Sequence, residues 1–328
     1  MEITVLGAGA WGTTLARHLA NSGQNVTLWA HEPSRFEEIR RNGENRRYLP
    51  GVPLPAEIRF ETDIHRAVET ARCVLVAVPS RTFRQIASNL KEYKGIAISL
   101  TKGIEYDSCL TMSGILEEES PEATIATLSG PSIAPEVARG IPTAVVAASK
   151  CKQAAVLVQN LFHGNILRVY TSDDVIGVEL GGALKNVMAI AAGVCDGLGF
   201  GDNSKSALLT RCLVEMRRLG VACGARSETF NGLSGLGDLA VTFFSKSSRN
   251  RTFGERLGKG ESVQQILNSM VNVVEGYFTA KAAYRLARKL NVYTPIIDEV
   301  YAMLYEGKSP YNALMSLMNR DGKPEDCE

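Results

Sequence analysis

A glycine-rich turn at the start of the chain constrains the fold more than any other feature. The run Gly7-Ala-Gly9-Ala-Trp-Gly12 has the spacing Gly-x-Gly-x-x-Gly and follows a short apolar segment, Glu2 to Leu6. The first glycine permits a tight turn from strand to helix, the second allows the backbone to approach a pyrophosphate, and the third allows close helix packing. A helix over Thr13 to Asn21 would direct its N-terminus at the anion.

The order of the next segments supports a dinucleotide-binding turn. Asn25 to Ala30 is predicted to form a second strand after the pair Ser22-Gly23. Strand, glycine turn, helix and strand therefore follow one another as such a unit requires. The alternative is a glycine-rich turn in an unrelated α/β protein.

Alternating strand and helix patterns over residues 1–172 predict an α/β domain. Strands that alternate with amphipathic helices form a Rossmann-type, doubly wound parallel sheet. After Asp173-Asp174, which can cap a helix, helical periodicity dominates, so we predict an all-helical domain over residues 173–328. The further predicted strands of the first domain are Cys73 to Val78, Ile96 to Leu100, Thr124 to Leu128, Thr143 to Ala148 and Ile166 to Tyr170.

The second domain is predicted to open with one long helix, Val175 to Cys195. It contains Gly177, Gly181, Gly182 and Gly193, which destabilise a helix unless another backbone packs closely against them. We therefore expect this helix at the centre of its domain. Further helices are predicted at Ser206 to Gly220, Thr252 to Leu257, Ser262 to Ser269, Thr279 to Leu290 and Pro295 to Tyr305.

Charge and hydropathy argue against nucleic-acid and membrane functions. The 36 Lys and Arg residues nearly balance the 35 Asp and Glu residues, so no global field favours nucleic acid or an acidic membrane surface. The longest apolar helical stretch, Val187 to Cys195, is too short to span a bilayer, and the N-terminal run lacks the features of a signal peptide. We expect a cytoplasmic protein.

The cysteine pattern predicts neither a metal site nor a disulfide framework. The seven cysteines are odd in number, are scattered, and show no CxxC or Cys/His ligand spacing. We interpret them as reduced core residues rather than catalytic thiols. They are Cys73, Cys109, Cys151, Cys195, Cys212, Cys223 and Cys327.

The end of the second strand bears on which dinucleotide is bound. NAD enzymes usually place Asp or Glu there for the ribose hydroxyls, whereas this chain has His31 followed by Glu32. Further along the chain lie five cationic side chains, which suit a 2′-phosphate: Arg35, Arg40, Arg41, Arg46 and Arg47. We predict that NADPH is preferred, with NADH use left open. The alternative for the arginines is solvation of a helix face.

Two lysines are candidates for chemistry. Lys102 follows a predicted strand, so its ammonium group is expected at the carboxyl edge of the sheet. Lys185 lies in the most apolar helix, where a lysine is costly unless it is paired or functional. Burial lowers its pKa and a neighbouring carboxylate raises it, which suits a proton donor to a developing alkoxide. The alternatives are a solvated loop lysine and a snorkelling helix lysine.

Three polar residues are predicted to support Lys185. Asn186 adjoins it and is placed to orient a substrate. Asp238 and Thr242 are four residues apart, so they share one face if Leu236 to Phe244 is helical. From that face they would hold Lys185 in place and hydrogen-bond a hydroxyl. The alternative for Asp238 is a helix N-cap.

A second anion site is predicted in the helical domain. The run Ser247-Ser-Arg-Asn-Arg251 precedes a predicted helix, so hydroxyls, an amide, a guanidinium and free N–H groups converge on one anion. Because the cofactor phosphates are assigned to the first glycine turn, this second site indicates a phosphorylated substrate. The alternative is a solvated basic turn.

Together these motifs resemble the bacterial NAD(P)-dependent glycerol-3-phosphate dehydrogenase family over nearly the whole chain. The resemblance rests on the glycine turn and on six further runs. These are Thr101-Lys-Gly103, Ser129-Gly-Pro-Ser-Ile-Ala134, Val178-Glu-Leu-Gly-Gly-Ala-Leu-Lys-Asn186, Gly235-Leu-Gly-Asp238, Ser248-Arg-Asn-Arg251 and Val273-Val-Glu-Gly-Tyr277.

The resemblance implies reversible hydride transfer between the nicotinamide and C2 of dihydroxyacetone phosphate, giving sn-glycerol 3-phosphate for phospholipid synthesis. It implies that Lys185 is the catalytic acid/base. Expected substrate contacts are Lys102, Gly130, Ser132, Asn186, Asp238, Thr242, Ser248, Arg249 and Asn250. Expected cofactor contacts are Gly7, Gly9, Ala10, Trp11, Gly12, His31, Tyr48, Lys102, Gly130, Ser132, Ala134, Arg249, Val273 and Glu275.

Two other functions compete with this hypothesis. A two-domain reductase of the hydroxyisobutyrate or ketopantoate type would act on a carboxylate and would not require Ser248-Arg249-Asn250. A nucleotide-sensing protein would keep the fold without reduction, and the joint presence of Lys102, Lys185 and Asp238 argues against it. Small and apolar helix faces also favour a homodimer, although no residue pattern fixes the oligomeric state.

Overall fold

The chain forms two compact units, and each is described by itself. The computed structural model describes residues 1–270, 273–322 and 324–325. Unit 1 contains Met1–Thr101 and Met112–Val175, and unit 2 contains Lys102–Thr111 and Ile176–Glu328. The segment 102–111 thus belongs to unit 2, although the predicted division after residue 172 places it in the first domain.

Unit 1 is built on one eight-stranded sheet. Its strand order is β3-β2-β1-β4-β5-β6-β7-β8, which confirms the predicted Rossmann-type α/β class. The strands are β1 (Glu2–Leu6), β2 (Asn25–Trp29), β3 (Arg59–Glu61), β4 (Cys73–Val76), β5 (Ile96–Ser99), β6 (Thr124–Ser129), β7 (Thr143–Ala148) and β8 (Leu167–Ser172).

Helices connect these strands. They are α1 (Ala10–Asn21), α2 (Pro33–Asn42), α3 (Ile64–Val68), α4 (Ser80–Ala87), α5 (Met112–Glu119), α6 (Ala134–Ala138) and α7 (Lys152–Phe162), with a 3₁₀ turn at Ser88–Leu90. The register pairs Leu6 with Trp29 on one side and with Val76 on the other. The carboxyl ends of β1, β2 and β4 therefore meet at one edge of the sheet, where the glycine turn lies.

The sheet differs from the prediction in two places. β7 runs antiparallel to β6, whereas a fully parallel sheet was expected. The five residues of α6 rise only about 7.5 Å, while the six residues of β6 span about 20 Å, so the connecting helix does not carry the chain back to the start of β6. The three-residue strand β3 was not predicted, because it is too short to show alternation and its first residue is exposed.

Unit 2 is helical, as predicted for the second domain. Its helices are α8 (Val175–Gly197), α9 (Asp202–Ala222), α10 (Asp238–Phe244), α11 (Arg249–Gly258), α12 (Val263–Ser269), α13 (Glu275–Lys289), α14 (Pro295–Tyr305) and α15 (Pro310–Met318). A 3₁₀ turn, Ser227–Asn231, and a π-helical turn, Leu233–Gly237, precede α10. α15 was not predicted.

Close backbone contacts explain two of the predicted α8 glycines, Gly181 and Gly193. A Cβ atom on Gly193 would lie 1.9 Å from the carbonyl oxygen of Arg251, and one on Gly181 would lie 2.5 Å from that of Ser234. Gly254 of α11 faces the Ile190 carbonyl at 2.0 Å in the same way. Since no side chain fits in these gaps, α8 lies at the centre of unit 2, which confirms the expectation.

The length argument against a membrane span was wrong for the whole helix. α8 continues beyond the apolar stretch Val187 to Cys195 on both sides, and its 23 residues are long and apolar enough to cross a bilayer. However, 94% of its most apolar window is buried inside the structure, which is typical of the core helix of a globular domain.

The cysteines within the described residues are free, and Cys327 lies outside them. Burial raises the pKa of the Cys73 and Cys195 thiols to about 11, so both are protonated near neutral pH. Protonated thiols are poor nucleophiles. The predicted core position holds for the buried Cys73, Cys195 and Cys212, whereas the other described cysteines are only partly buried: Cys109, Cys151 and Cys223.

Candidate active site

The glycine turn of unit 1 leaves open space at its middle glycine. Gly7 has φ 118°, and a Cβ atom there would lie 2.5 Å from the Ala77 carbonyl oxygen. A Cβ atom on Gly12 would lie 2.0 Å from the Gly7 carbonyl oxygen. Gly9, at the N-cap of α1, has no atom within 4 Å of its Cβ position. The first and third glycines are thus required by the protein itself, and the position of a Cβ atom on the second is open space.

The first turn of α1 adds donors to this space. Ala10 and Trp11 are the first two residues of the helix, whose initial N–H groups have no intrahelical acceptors. The indole Nε1 of Trp11 is buried and has no hydrogen-bond partner among the described residues. An open cradle at a helix N-terminus, with an unpartnered buried donor beside it, fits the pyrophosphate end of a dinucleotide.

Cationic and aromatic side chains gather after β2. The His31 ring is largely exposed and lies 3.3 Å from a Glu32 carboxylate oxygen, and that carboxylate also pairs with Arg35 at 2.8 Å. The guanidinium groups of Arg35 and Arg47 lie 4.9 and 5.4 Å from the centre of the Tyr48 ring. Glu32 is therefore already paired with the Arg35 cation, and the hydrogen bond from Arg35 holds the pKa of Glu32 below its usual value.

Three other predicted residues lie beyond β6 in unit 1. Gly130 has φ 134°, a conformation that favours glycine, and the Ser132 hydroxyl donates to its carbonyl at 2.9 Å. Ala134 begins α6. Gly130 and Ser132 thus form a tight turn after the end of β6.

Lys185 of α8 is held by α10. Only 9% of the residue is exposed; its ammonium group donates to the Thr242 hydroxyl at 2.7 Å and lies 3.1 Å from Asp238 Oδ1. The Thr242 hydroxyl donates its own proton to the Asp238 carbonyl at 2.6 Å, so its lone pairs face the lysine. Both α10 residues lie on one helix face, and the N-cap position is Gly237 rather than Asp238.

The same carboxylate also binds Lys102. The Lys102 ammonium group lies 2.6 Å from Asp238 Oδ2, and Asp238 is only 1% exposed. One buried carboxylate therefore holds two ammonium groups, and the trio keeps a net positive charge. The spacing of Asp238 and Thr242 predicted the Lys185 contact, but the partnership with Lys102 was missed, because nothing in the local sequence links residues so far apart.

The surroundings of Lys185 tune its acidity. Burial lowers the pKa of its ammonium group to about 8, the Asp238 carboxylate opposes that shift, and the cations of Lys102 and Arg249 add to it. The group is protonated near neutral pH and loses its proton in mildly alkaline solution. This range suits a residue that donates and accepts protons in turn.

The N-terminus of α11 gathers polar groups. Ser248 is the N-cap, and its hydroxyl accepts from the Arg251 N–H at 3.2 Å. The guanidinium group of Arg249 donates to the Val273 carbonyl at 3.0 Å. Burial lowers the pKa of Arg249, and the nearby Glu275 carboxylate opposes this effect. A cation and free helix N–H groups thus meet at one end of α11, as an anion site requires.

Two asparagines are joined beside Lys185. The side-chain amide of Asn250 donates to Asn186 Oδ1 at 2.8 Å, and its oxygen accepts from the Gly276 N–H at 2.9 Å. A Cβ atom on Gly276 would lie 2.5 Å from the Asn186 carbonyl oxygen. Gly276 received no role from the sequence, although it lies in one of the runs on which the resemblance rests.

The predicted residues fall into two groups. Unit 2 brings together Lys102, Lys185, Asp238 and Thr242 by direct contacts, and it joins Asn186 to Asn250 and Arg249 to Val273. The predicted residues in unit 1 are Gly7, Gly9, Ala10, Trp11, Gly12, His31, Tyr48, Gly130, Ser132 and Ala134.

Comparison with known proteins assigns the chain to a family. Residues 2–155 match the N-terminal model, and residues 174–315 the C-terminal model, of NAD-dependent glycerol-3-phosphate dehydrogenase. The chain belongs to the NAD(P)-dependent glycerol-3-phosphate dehydrogenase family. It is 47% identical to glycerol-3-phosphate dehydrogenase [NAD(P)+] of Chlorobium phaeobacteroides over 99% of both chains. It is 48% identical to the enzyme of that name from a Thermoanaerobacter species, again over 99% of both chains.

Solved structures agree with the family assignment. The crystal structure of glycerol-3-phosphate dehydrogenase from Coxiella burnetii has a TM-score of 0.94 and 38% identity, covering 97% of this chain and 99% of that one. A ketopantoate reductase from Ralstonia eutropha has a TM-score of 0.57 and 18% identity, which shows a shared fold only. The comparisons therefore support the glycerol-3-phosphate dehydrogenase family over the carboxylate-reductase alternative.

Proposed function

We propose that this chain reduces dihydroxyacetone phosphate reversibly to sn-glycerol 3-phosphate with NAD(P)H. The observation that carries the proposal is the buried Lys185, which contacts Asp238 and Thr242 in a member of this dehydrogenase family. A lysine with a pKa of about 8 is suited to protonate an alkoxide. The bound nicotinamide supplies the hydride, and the protein supplies orientation, charge and one proton.

Proton delivery is assigned to Lys185. In the reduction, its ammonium group donates a proton to the oxygen on C2 and becomes a neutral amine. Asp238 holds this ammonium group and that of Lys102, so two cations are placed to stabilise the developing negative charge. Thr242 accepts from Lys185 and limits the directions in which the nitrogen points.

The phosphate of the substrate is assigned to the N-terminus of α11. Arg249 supplies a cation there, and Ser248 supplies a hydroxyl. Asn250 is assigned to the same substrate through its contact with Asn186. Binding at the phosphate orients the reacting carbon, so loss of this contact lowers turnover as well as affinity. Gly130 and Ser132 are assigned to both substrate and cofactor.

The test is an assay of a substrate panel with each reduced cofactor, in which the absorbance of the reduced nicotinamide reports turnover. We expect oxidation of the cofactor with dihydroxyacetone phosphate and none with dihydroxyacetone or with 2-keto acids. Reduction of a keto acid would favour the carboxylate-reductase alternative. Cofactor binding without turnover of any triose phosphate would favour a nucleotide sensor.

NADPH is proposed as the preferred cofactor. The support lies after β2, where Glu32 is paired with Arg35 and the cations of Arg35 and Arg47 flank Tyr48. A paired carboxylate is less available to ribose hydroxyls, and the cations attract a 2′-phosphate. Comparing kcat/KM for NADPH and NADH tests this preference, and an equal or higher value for NADH would contradict it.

A homodimer is proposed for the assembled protein. The support is a set of large apolar side chains exposed on unit 2: Leu236, Phe244, Leu290, Tyr293, Tyr311 and Met318. Exposed apolar surface is commonly covered by a partner. Light scattering coupled to size-exclusion chromatography should give twice the chain mass of 35.5 kDa, and a single-chain mass would contradict the proposal.

A cytoplasmic location is proposed as well. The described cysteines are free, which fits a reducing compartment. Fractionation of cells that produce the native protein should place it with cytoplasmic markers, and recovery with the membrane or secreted fraction would contradict the assignment.

A further inference from the structure

The segment 102–111 of unit 2 folds back on itself and is called here the 102–111 loop. Ile104 and Thr111 form an antiparallel bridge at its base. Within it, the Glu105 N–H donates to the Leu110 carbonyl at 2.9 Å. Because its own backbone hydrogen bonds close the loop, a contact at one point of it restrains the rest.

Two side chains anchor this loop to the body of unit 2. Ile104 is 3% exposed and belongs to the main apolar core of the unit. The ring of Tyr106 lies under two cations of α13: Lys281 Nζ is 4.4 Å from the ring centre, and the Arg285 guanidinium is 5.0 Å from it. Lys281 and Arg285 are four residues apart, so they lie on one helix face and both reach the same ring.

Further aromatic rings pack near these cations. Lys281 also lies 5.8 Å from the Tyr305 ring, and the Tyr305 ring lies 5.1 Å from that of Tyr301. Tyr301 in turn stacks on Tyr284 of α13, with 4.0 Å between ring centres. Lys281, which is half-buried, therefore lies between two aromatic rings, those of Tyr106 and Tyr305.

We infer that Tyr106 is a positioning residue for the proposed reaction, because it holds the 102–111 loop so that Lys102 meets Asp238. This inference rests on the proposed function. Lys102 is the first residue of the loop and lies 2.6 Å from Asp238 Oδ2, and Tyr106 follows four residues later. Tyr106 itself acts through Lys102, and its ring rather than its hydroxyl makes these contacts.

The position of Lys102 should influence the pKa of Lys185. The charged groups that act on the Lys185 ammonium group are Asp238, Lys102 and Arg249, and Lys102 lowers its pKa by repulsion. If the loop loosens, Lys102 moves away, the repulsion weakens and the pKa of Lys185 rises. A substitution of Tyr106 should therefore change the pKa of Lys185, which Tyr106 does not contact.

The experiment compares Tyr106→Ala with Tyr106→Phe in the full chain. The alanine variant should lose about tenfold in kcat/KM for dihydroxyacetone phosphate, since two cation–π contacts are removed. The phenylalanine variant keeps the ring and should behave as the wild type. Adding Tyr106→Ala to Lys102→Met should have no further effect, because both act through Lys102.

A second readout does not need turnover. The pH dependence of Lys185 acetylation, followed by mass spectrometry of its peptide without cofactor, should shift to higher pH in Tyr106→Ala and not in Tyr106→Phe. If the alanine variant unfolds, Lys281→Gln takes its place. This substitution removes one cation from α13 and should shift the acetylation profile in the same direction. An unshifted acetylation profile, or additive losses with Lys102→Met, would overturn the inference. Absence of wild-type turnover would contradict the proposed function alone.

Discussion

The two units hold their predicted ligands in different ways. In unit 1 the glycine turn is shaped by backbone atoms, and the decisive residues have no side chain. In unit 2 the decisive groups are charged side chains, with one carboxylate between two lysines in a site largely removed from water. A backbone cradle binds an anion without titrating near neutral pH, whereas a buried lysine is useful because it does. Substitutions in unit 1 and in unit 2 should therefore impair different properties of the protein.

Loss of Lys185 should have the largest effect. Lys185→Ala should lower kcat by about 10³-fold, since it removes the proposed acid/base, while the dissociation constant of the cofactor stays unchanged. Lys205→Ala is the matched control, because Lys205 is also a buried helical lysine paired with an aspartate, Asp196. The control should affect stability but leave kcat within a few-fold. Retained turnover in Lys185→Ala would reject its role.

The glycine turn should separate binding from stability. Gly9→Ala adds a methyl group to open space, so the melting temperature should stay the same while the dissociation constant of the cofactor rises, by about 100-fold. Gly12→Ala adds a methyl group against the Gly7 carbonyl and should lower the melting temperature as well. Calorimetric titration and thermal unfolding measure the two effects. Unchanged cofactor binding in Gly9→Ala would show that the open space is not the pyrophosphate site.

The phosphate contact should give an effect in unit 2 that depends on the substrate. Arg249→Ala should raise the Michaelis constant for dihydroxyacetone phosphate by about 10- to 100-fold, because a charged hydrogen bond contributes about 1.5–3 kcal/mol. Arg256→Ala, on the same helix but paired with Glu261 at the surface, is the control and should have little effect. An unchanged Michaelis constant in Arg249→Ala would remove the phosphate assignment.

The smallest expected effect concerns cofactor choice. His31 is largely exposed, so its contact with a 2′-phosphate is screened by solvent. His31→Ala should reduce the NADPH to NADH ratio of kcat/KM by only about two- to fivefold, consistent with an exposed pair of under about 1 kcal/mol. Steady-state assays with both cofactors give this ratio, and an increase in NADPH preference would contradict the assignment.

Local patterns predicted the parts of the fold that local physics determines. The strand preceding Gly7 and helix α14 were predicted with their observed bounds, since apolar runs and proline mark them directly. The predicted parallel direction of β7 was wrong, because strand direction depends on how far a connecting segment returns along the sheet. The edge strand β3 and helix α15 were missed, since each is short and only partly buried.

The candidate site shows the same division. The four-residue spacing of Asp238 and Thr242 indicated a shared face toward Lys185, and the structure places both on it. The contacts of Asp238 with Lys102 and of Asn250 with Asn186 join segments far apart in the chain. Such contacts depend on tertiary packing. The periodic patterns in a single sequence report local structure and do not indicate which distant segments meet.

The most direct test of the central claim is the pH dependence of kcat in both directions of the reaction. Lys185 must be protonated for reduction and neutral for oxidation, and its pKa is about 8. Reduction should therefore be constant below about pH 8 and fall above it, whereas oxidation should rise up to that pH and then level off. Lys102→Met should move both transitions to higher pH, because it removes a repelling cation. Rates that stay constant across this range in both directions, or transitions that do not respond to Lys102→Met, would contradict the account.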